Sequence, residues 1–197
     1  MVPLVAMTER PKRHSIEEWL ALPEDVHVEL IDGEYVKRAS PAWNHGTTQF
    51  HLGLLLGPEF NRPAGGSKPG GWWIAPEVDI VLNGDGFRPD MAGWRRSRVP
   101  EMPKDWPTRL TPDWIAEVVS PGNRTHDTVT KLQRYHAAGV AHYWLLDPEQ
   151  GSLHVYRHQP DGYLLVLAAQ RPMRVHAEPF EAVEYAVGEL LGDDPQD

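Results

Sequence analysis

A chain of 197 residues with 41 % hydrophobic and 24 % charged content is composed like a folded globular domain, not a disordered segment, and can bury about 70 % of its unfolded surface. It holds no cysteine, which excludes disulfides and thiolate metal sites and fits a reducing compartment. The net charge of −9 argues against broad affinity for nucleic acid, although that charge is unevenly spread.

From Ala177 to Asp197 the acids Glu178, Glu181, Glu184, Glu189, Asp193, Asp194 and Asp197 meet no Lys or Arg. Between Arg88 and Arg109, by contrast, Arg88, Arg95, Arg96, Arg98, Lys104 and Arg109 outnumber Asp90, Glu101 and Asp105. Apolar runs such as "LLVLAA" fall far short of the ~20 residues that span a bilayer. The opening "MVPLVAMTERPKR" places its charges after a brief apolar patch, the reverse of a secretory signal. The expectation is a soluble, cytoplasmic protein with no membrane partner. It would form one domain over 1–197, with residues 1–14 flexible and 177–197 an acidic C-terminal segment.

In chain order, "SIEEWLALPED" opens with a capping box, Ser15 as N-cap and Glu18 three residues on, predicting a short helix to about Leu22. "HVELIDGEYVKRAS" alternates around Asp32-Gly33, a strong hairpin signal. "NHGTTQFHLGLLLGPEF" has helical apolar spacing through Phe50, Leu54 and Leu55 and stops before "NRPAGGSKPGG". "WWIAPEVDIVL", the turn "NGDG" and "FRPDMAGW" read as a second hairpin, and residues 95–112, rich in Arg and Pro, as a loop. Then come the strand "DWIAEVVS", a helix from Asp127 to Ala138, and the strand "AHYWLLD". "SLHVYRH", "QPDG" and "YLLVLAA" form a third hairpin, and the acidic end holds a short strand and a last helical turn. If the strands flanking the Asp127 helix neighbour one another, that helix is a crossover and the strands are parallel. The fold class is α+β, a mixed sheet with flanking helices and additional hairpins.

Within "WIAEVVS" one residue does not fit its surroundings. Glu117 stands in a run that reads as buried, and an unpaired buried carboxylate is costly. Its near neighbours in sequence offer no base, so an Arg, a Lys or a metal must compensate it from elsewhere. Asp90, just after Pro89, reads as a second acid at the same kind of place, late in a strand. Two carboxylates within ~4 Å repel by ~4 kcal/mol at an effective dielectric of about 20, and a divalent cation between them reverses the sign. Oxygen ligands suit Mg²⁺ or Mn²⁺. Lys131 lies ~6 Å along the following helix, and helical side chains lean towards the N-terminus, which aims its ammonium back at the Glu117 strand. Tyr135, four residues on, shares that face. Two acids, a metal and a lysine suit phosphodiester hydrolysis. Taken singly, each residue also reads as an ordinary strand acid, turn fragment or solvated helix lysine.

The run "PDWIAEVVSPGNRTHDTVTKLQRYHAAGVAHYWLLDP" resembles the signature of the Uma-type family described as putative restriction endonucleases, within the PD-(D/E)xK nuclease superfamily. Further pieces occur in that family's order: "SIEEWLALPED", "VELIDGEYV", "SP" followed by His45, "RPD", "EVVSP", "D…K…Y" and "YWLLDP". The resemblance covers most of residues 15–170. It implies a restriction-endonuclease-like core, a Mg²⁺- or Mn²⁺-dependent DNA endonuclease, and a homodimer or higher homo-oligomer. Asp90 matches the acid of the PD motif and Glu117 the acid of (D/E)xK, the two metal ligands. Val119 stands where the superfamily has lysine, and Lys131 on the next helix takes that role. Glu29, Glu34, His45 and Asp127 also match recurrent family positions, and Tyr135 ends the "D…K…Y" piece; Glu29 or His45 could add a ligand or a base, or be structural. His142 departs from the pattern and is expected to face outward or an interface, and "PDMAGW" is less apolar than the usual strand there. A nuclease fold kept only for binding or assembly is the alternative.

Other signals carry less. "PAGGSKPGG" has Pro69 where a phosphate loop needs Ser or Thr, and the ten histidines lack zinc-type spacing. Ser120 precedes Pro121 without a nucleophile elbow. The eight tryptophans read mostly as core or interface residues, with Trp72, Trp73 and Trp94, near the basic stretch, also candidates for stacking on bases.

Overall fold

The structure, a computed structural model, describes residues 13–195 apart from 24, 39–41 and 123. Most of the expected flexible lead, the "SP" pair Ser40-Pro41, and Asp197 therefore lie outside the described residues. The capping box forms as its sequence dictates. Ser15 Oγ accepts the Glu18 amide at 3.2 Å, Glu18 returns a carboxylate to the Ser15 amide at 3.0 Å, and helix α1 spans Ile16–Leu20. Asp32 and Gly33 both have positive φ, 52° and 76°, the pairing that turns a two-residue hairpin with the native strand twist. They join β1 (Val28–Ile31) to β2 (Glu34–Lys37).

Helix α2 spans Trp43–Phe60, and its buried face differs from the expected one. Thr48, Leu52, Leu56 and Phe60 point inward, while Phe50 and Leu54 are exposed. The second hairpin is also more elaborate than its sequence suggests. Strands β3 (Trp72–Pro76) and β6 (Met91–Arg95) pair with each other, and β4 (Ile80–Leu82) and β5 (Asp85–Phe87), joined by Asn83-Gly84, leave for a different sheet. "PDMAGW" is nonetheless a core strand. A Cβ on Gly93 would lie 3.1 Å from the Trp114 ring and 3.3 Å from Trp72, so its lack of a side chain is what admits both indoles.

Strand β7 (Trp114–Val118) leads through a crossover to β8 (His142–Asp147), and the two are parallel as expected. The crossover is a π-helical segment, His126–Lys131, running into α3 (Leu132–Ala137). Hairpin β9 (Ser152–Gln159) and β10 (Gly162–Gln170) follows, then β11 (Arg174–Val175), β12 (Tyr185–Ala186) and α4 (Val187–Leu190). Six strands form one mixed sheet in the order β10-β9-β8-β7-β6-β3, and four form an antiparallel sheet in the order β2-β1-β5-β4. This is the expected α+β architecture.

Alternation along β7 sets the two sides of the large sheet. Trp114, Ala116 and Val118 face α2 and the C-terminal segment, joining Leu52, Leu56, Phe60, Trp144, Phe180 and Leu190. Ile115 faces the small sheet and α3, joining Ile80, Phe87, Tyr135 and Tyr143. Glu117 falls on that second side. His142 does not face outward. Paired in register with Trp114, it points towards the C-terminal segment, its Nε2 3.5 Å from Glu178, with Nδ1 buried and unpaired. Burial drives its pKa below the ordinary histidine value. No helix among the described residues is long and apolar enough to cross a membrane.

Candidate active site

Register brings the two acids together. Met91 pairs with Ala116 across β6 and β7, so the next step along the ladder places Asp90 beside Glu117. The Val118 amide donates to Asp90 Oδ2 at 2.7 Å and pins that carboxylate at the strand ends. Both acids line a cleft of about 810 Å³ together with Arg38, His45, Asp127 and Lys131.

Beneath the cleft, the charge that compensates Glu117 is Lys131. Its Nζ lies 3.0 Å from Glu117 Oε1, 3.1 Å from Glu29 Oε1 and 3.5 Å from Asp127 Oδ1. The lysine is 4 % exposed, and Glu29 and Glu117 are 1 % and 2 % exposed. The backward lean expected of Lys131 is realised, but from a π turn instead of a regular α-helix. Asp127 and Lys131, four residues apart, both point inward from it. Such segments concentrate at functional sites because they re-aim side chains at a cost in backbone geometry. Tyr135 OH donates to Glu117 Oε1 at 2.7 Å, and Tyr143 OH to the Asp127 carbonyl at 2.9 Å, which fastens the turn to the sheet.

The acids respond differently to one environment. Burial opposes ionisation of Glu29, but the Lys131 ammonium, the His126 hydrogen bond at 3.0 Å and the Arg38 charge outweigh it and hold the carboxyl down at about 2. Glu117 is pushed well above the ordinary range, by burial first. Lys131 pulls it down, but Asp90, Glu29 and Asp127 repel its charge. Asp127 is raised by burial and by Glu29 against the pull of Lys131. Burial disfavours the Lys131 charge too, yet Glu117, Glu29 and Asp127 raise its pKa and keep it protonated.

At the rim, His45 bridges Asp90 Oδ1 and Ser120 Oγ, each at 3.1 Å. Arg38 forks onto Glu77 at 3.0 and 3.3 Å and reaches within 3.6 Å of Asp90. Ser120, His45 and Asp90 thus align as a hydroxyl–imidazole–carboxylate chain, but Asp90 is also tied to the Val118 amide, and the chain around Ser120, just after β7, lacks the G-x-S-x-G pattern of a nucleophile elbow.

All seven expected site residues meet here: Asp90, Glu117, Lys131, Glu29, His45, Asp127 and Tyr135. Sequence reasoning missed Arg38 and His126. Each stands beside a recognised element, in "YVKRAS" and "THD", but neither spacing says which way it points. The basic stretch is largely spent inside the protein, Arg88 on Asp79 and Arg98 on Asp113. The three tryptophans singled out for stacking are covered: Trp72 and Trp94 are buried, and Arg96 lies 3.3 Å from the Trp73 ring centroid.

The innermost carboxylates Glu29, Asp90, Glu117 and Asp127 outnumber the permanent cations Lys131 and Arg38. Among the described residues no three His, Cys, Asp or Glu side chains converge as a complete metal cage. Two hard-oxygen donors beside surplus negative charge suit Mg²⁺ or Mn²⁺, which commonly takes one or two carboxylates and completes its shell with water and substrate phosphate. The residues present therefore fit such an ion.

The sequence matches, over residues 16–188, the family described as "Uma2: Putative restriction endonuclease". No curated protein matches it. Its fold is similar to the crystal structure of a putative nuclease belonging to DUF820 from Anabaena variabilis ATCC 29413. The TM-score is 0.69 at 20 % identity, covering 90 % of this chain and 97 % of that one.

Proposed function

This chain belongs to the Uma2 family of putative restriction endonucleases, and from that membership and the geometry of the cleft we propose that it is a Mg²⁺- or Mn²⁺-dependent endonuclease that hydrolyses phosphodiester bonds in DNA. The observation that carries the reading is Lys131 Nζ at 3.0 Å from Glu117, on the side of the strand ends where Asp90 meets Glu117. Two acids and a lysine converge although the lysine comes from the crossover and not from the strand.

Asp90 and Glu117 would hold the cation, which when bound polarises a phosphoryl oxygen and makes water a better nucleophile. Tyr135 and Lys131 both occupy Glu117 Oε1, which orients the carboxylate. Lys131 would hold fixed positive charge near the reacting phosphate, whose non-bridging oxygens carry the negative charge of the transition state. His45, with Nδ1 on Ser120 and Nε2 on Asp90, would orient the Asp90 carboxylate at the cleft wall. Cutting two strands calls for two such sites. A homodimer through the outer face of α2, where Trp43, Phe50 and Leu54 are exposed, is part of the proposal, as is a cytoplasmic setting.

The test is cleavage of duplex and single-stranded DNA with Mg²⁺ or Mn²⁺. Glu117→Ala and Lys131→Ala should each lower the rate by about 10²–10³; equal rates in all three proteins overturn the assignment. The full internal pairing of Lys131 favours one other reading, a charge cluster retained for structure in a non-catalytic module. That reading expects no cleavage and no stabilisation by Mn²⁺. A Mn²⁺-dependent rise in Tm that Asp90→Ala abolishes counts against it.

A further inference from the structure

A second, narrower cleft of about 320 Å³ adjoins the first, and Val28, Arg38 and Arg88 line both. Its outer wall carries Trp106, 64 % exposed on the Arg- and Pro-rich loop. An exposed indole is usually free to swing, but this one is anchored. Its Nε1 donates at 2.8 Å to Asp79 Oδ2, and Asp79 is buried. The same carboxylate takes the Arg88 fork at 2.7 and 2.9 Å, so indole and guanidinium are held as a pair by one acid. Arg88 in turn precedes Asp90 by two residues and donates its amide to Glu29 at 3.2 Å, which ties the aromatic platform to the charged floor of the main cleft.

From this placement we infer that the narrower cleft receives an unpaired nucleobase of the DNA strand, stacked on Trp106, beside the phosphate to be cut. The inference rests on the nuclease reading and deepens it by naming the form of the substrate. A base inside a duplex has both faces covered by its neighbours, so an indole can stack only on a base that is terminal, flipped out or single-stranded. The indole supplies a sequence-tolerant face. Arg88 and Arg38 line the same cleft, but their charges are committed to Asp79 and Glu77, so the indole face and not a free cation carries the affinity. Polar atoms of Trp106 are already used on Asp79, so it reads no base edge. The preference it confers is for strand state over sequence.

Equilibrium binding of fluorescein-labelled oligo-dT and of a blunt duplex of equal length, in EDTA so that no strand is cut, tests this on the full chain. Trp106→Ala should weaken single-strand binding about 5- to 150-fold, the span of one base–aromatic stack, and leave duplex binding within about twofold. Trp106→Phe keeps a ring but loses the bond to Asp79, and should stay within about threefold of wild type. Unchanged single-strand binding in Trp106→Ala overturns the inference. So does equal loss on both substrates, or equal loss in the Ala and Phe variants with a lowered Tm, because each points to a structural role. Wild type that binds and cuts DNA while Trp106→Ala binds normally sinks this inference alone. Wild type that binds neither substrate sinks the nuclease reading with it. A Trp106 effect in a protein that binds but does not cut leaves the stack standing without the chemistry.

Discussion

On one side of β7, Trp114 packs against Trp144 and Phe180 with ring centroids 5.5 and 4.9 Å away; on the other, three residues along, Glu117 meets Lys131 and Tyr135. Both sides exclude water almost completely, but by different physics. The aromatic side gains from apolar area removed from water and from edge-to-face ring contacts, and its cluster is built of apolar and aromatic side chains. The charged side gives up the hydration of four carboxylates and a lysine and recovers it only through mutual attraction, which for buried ions seldom exceeds the cost. A strand that needed stability alone could carry an apolar residue at 117. That it carries a glutamate, and that the fold supplies a π turn, a buried lysine and a tyrosine hydroxyl to hold it, marks that side as the one shaped by chemistry.

Substitutions on the two sides should separate these accounts. Lys131→Met leaves Glu29, Glu117 and Asp127 without their shared cation and should cost about 3–5 kcal/mol near neutral pH, read by urea denaturation. Phe180→Ala should cost a similar ~3–5 kcal/mol by opening a cavity between Trp72, Trp114 and Trp144. The deficits differ in their response to acid. Protonation of the carboxylates relieves the Lys131→Met protein, so its deficit shrinks at low pH, while that of Phe180→Ala does not move. If both deficits were independent of pH, the contrast between the sides would fail.

Glu29→Gln gives the finer measurement. A carboxyl held at about 2 against an ordinary 4.5 contributes about 3 kcal/mol above its unfolded pKa. Because the folded value is the lower one, that contribution is lost as pH falls from about 4.5 towards 2, and the gap between wild type and variant should close over that window. Glu117 has the opposite sign. Its folded pKa is raised, so ionising it costs stability as pH rises above the ordinary value, although it touches the same lysine as Glu29. The difference is one of neighbours: Glu29 has His126 and Arg38 to share it, whereas Glu117 faces Asp90 and Asp127.

Much of this was legible in residue order. A capping box, an Asp-Gly turn and a two-residue periodicity each have a local cause, and α1, the first hairpin and β7 formed where those causes stand. Glu117 was conspicuous because a buried charge demands a partner wherever it occurs. The faces of α2 were harder. Phe50 and Leu54 are as apolar as Leu52 and Leu56, and only the shape of the sheet beneath decides which pair turns inward. The choice among the tryptophans turns on the same point. Trp72, Trp73 and Trp94 are equivalent to Trp106 in chemistry, and burial under Phe180, under Arg96 and within the small-sheet core removes them one by one.

What the sequence determined by itself was the set of groups: two acids near strand ends, a lysine displaced to a crossover, and the turns that make a mixed sheet possible, because these depend on contacts within a few residues. What only the tertiary structure decided was how those groups share charge. Which carboxylate is held ionised and which is pushed towards its acid form depends on distances of 3.0–3.6 Å between β1, β7, the π turn and Arg38, elements up to a hundred residues apart. Coulomb energy varies with those separations and with the water excluded around them, and neither is written in the order of the residues.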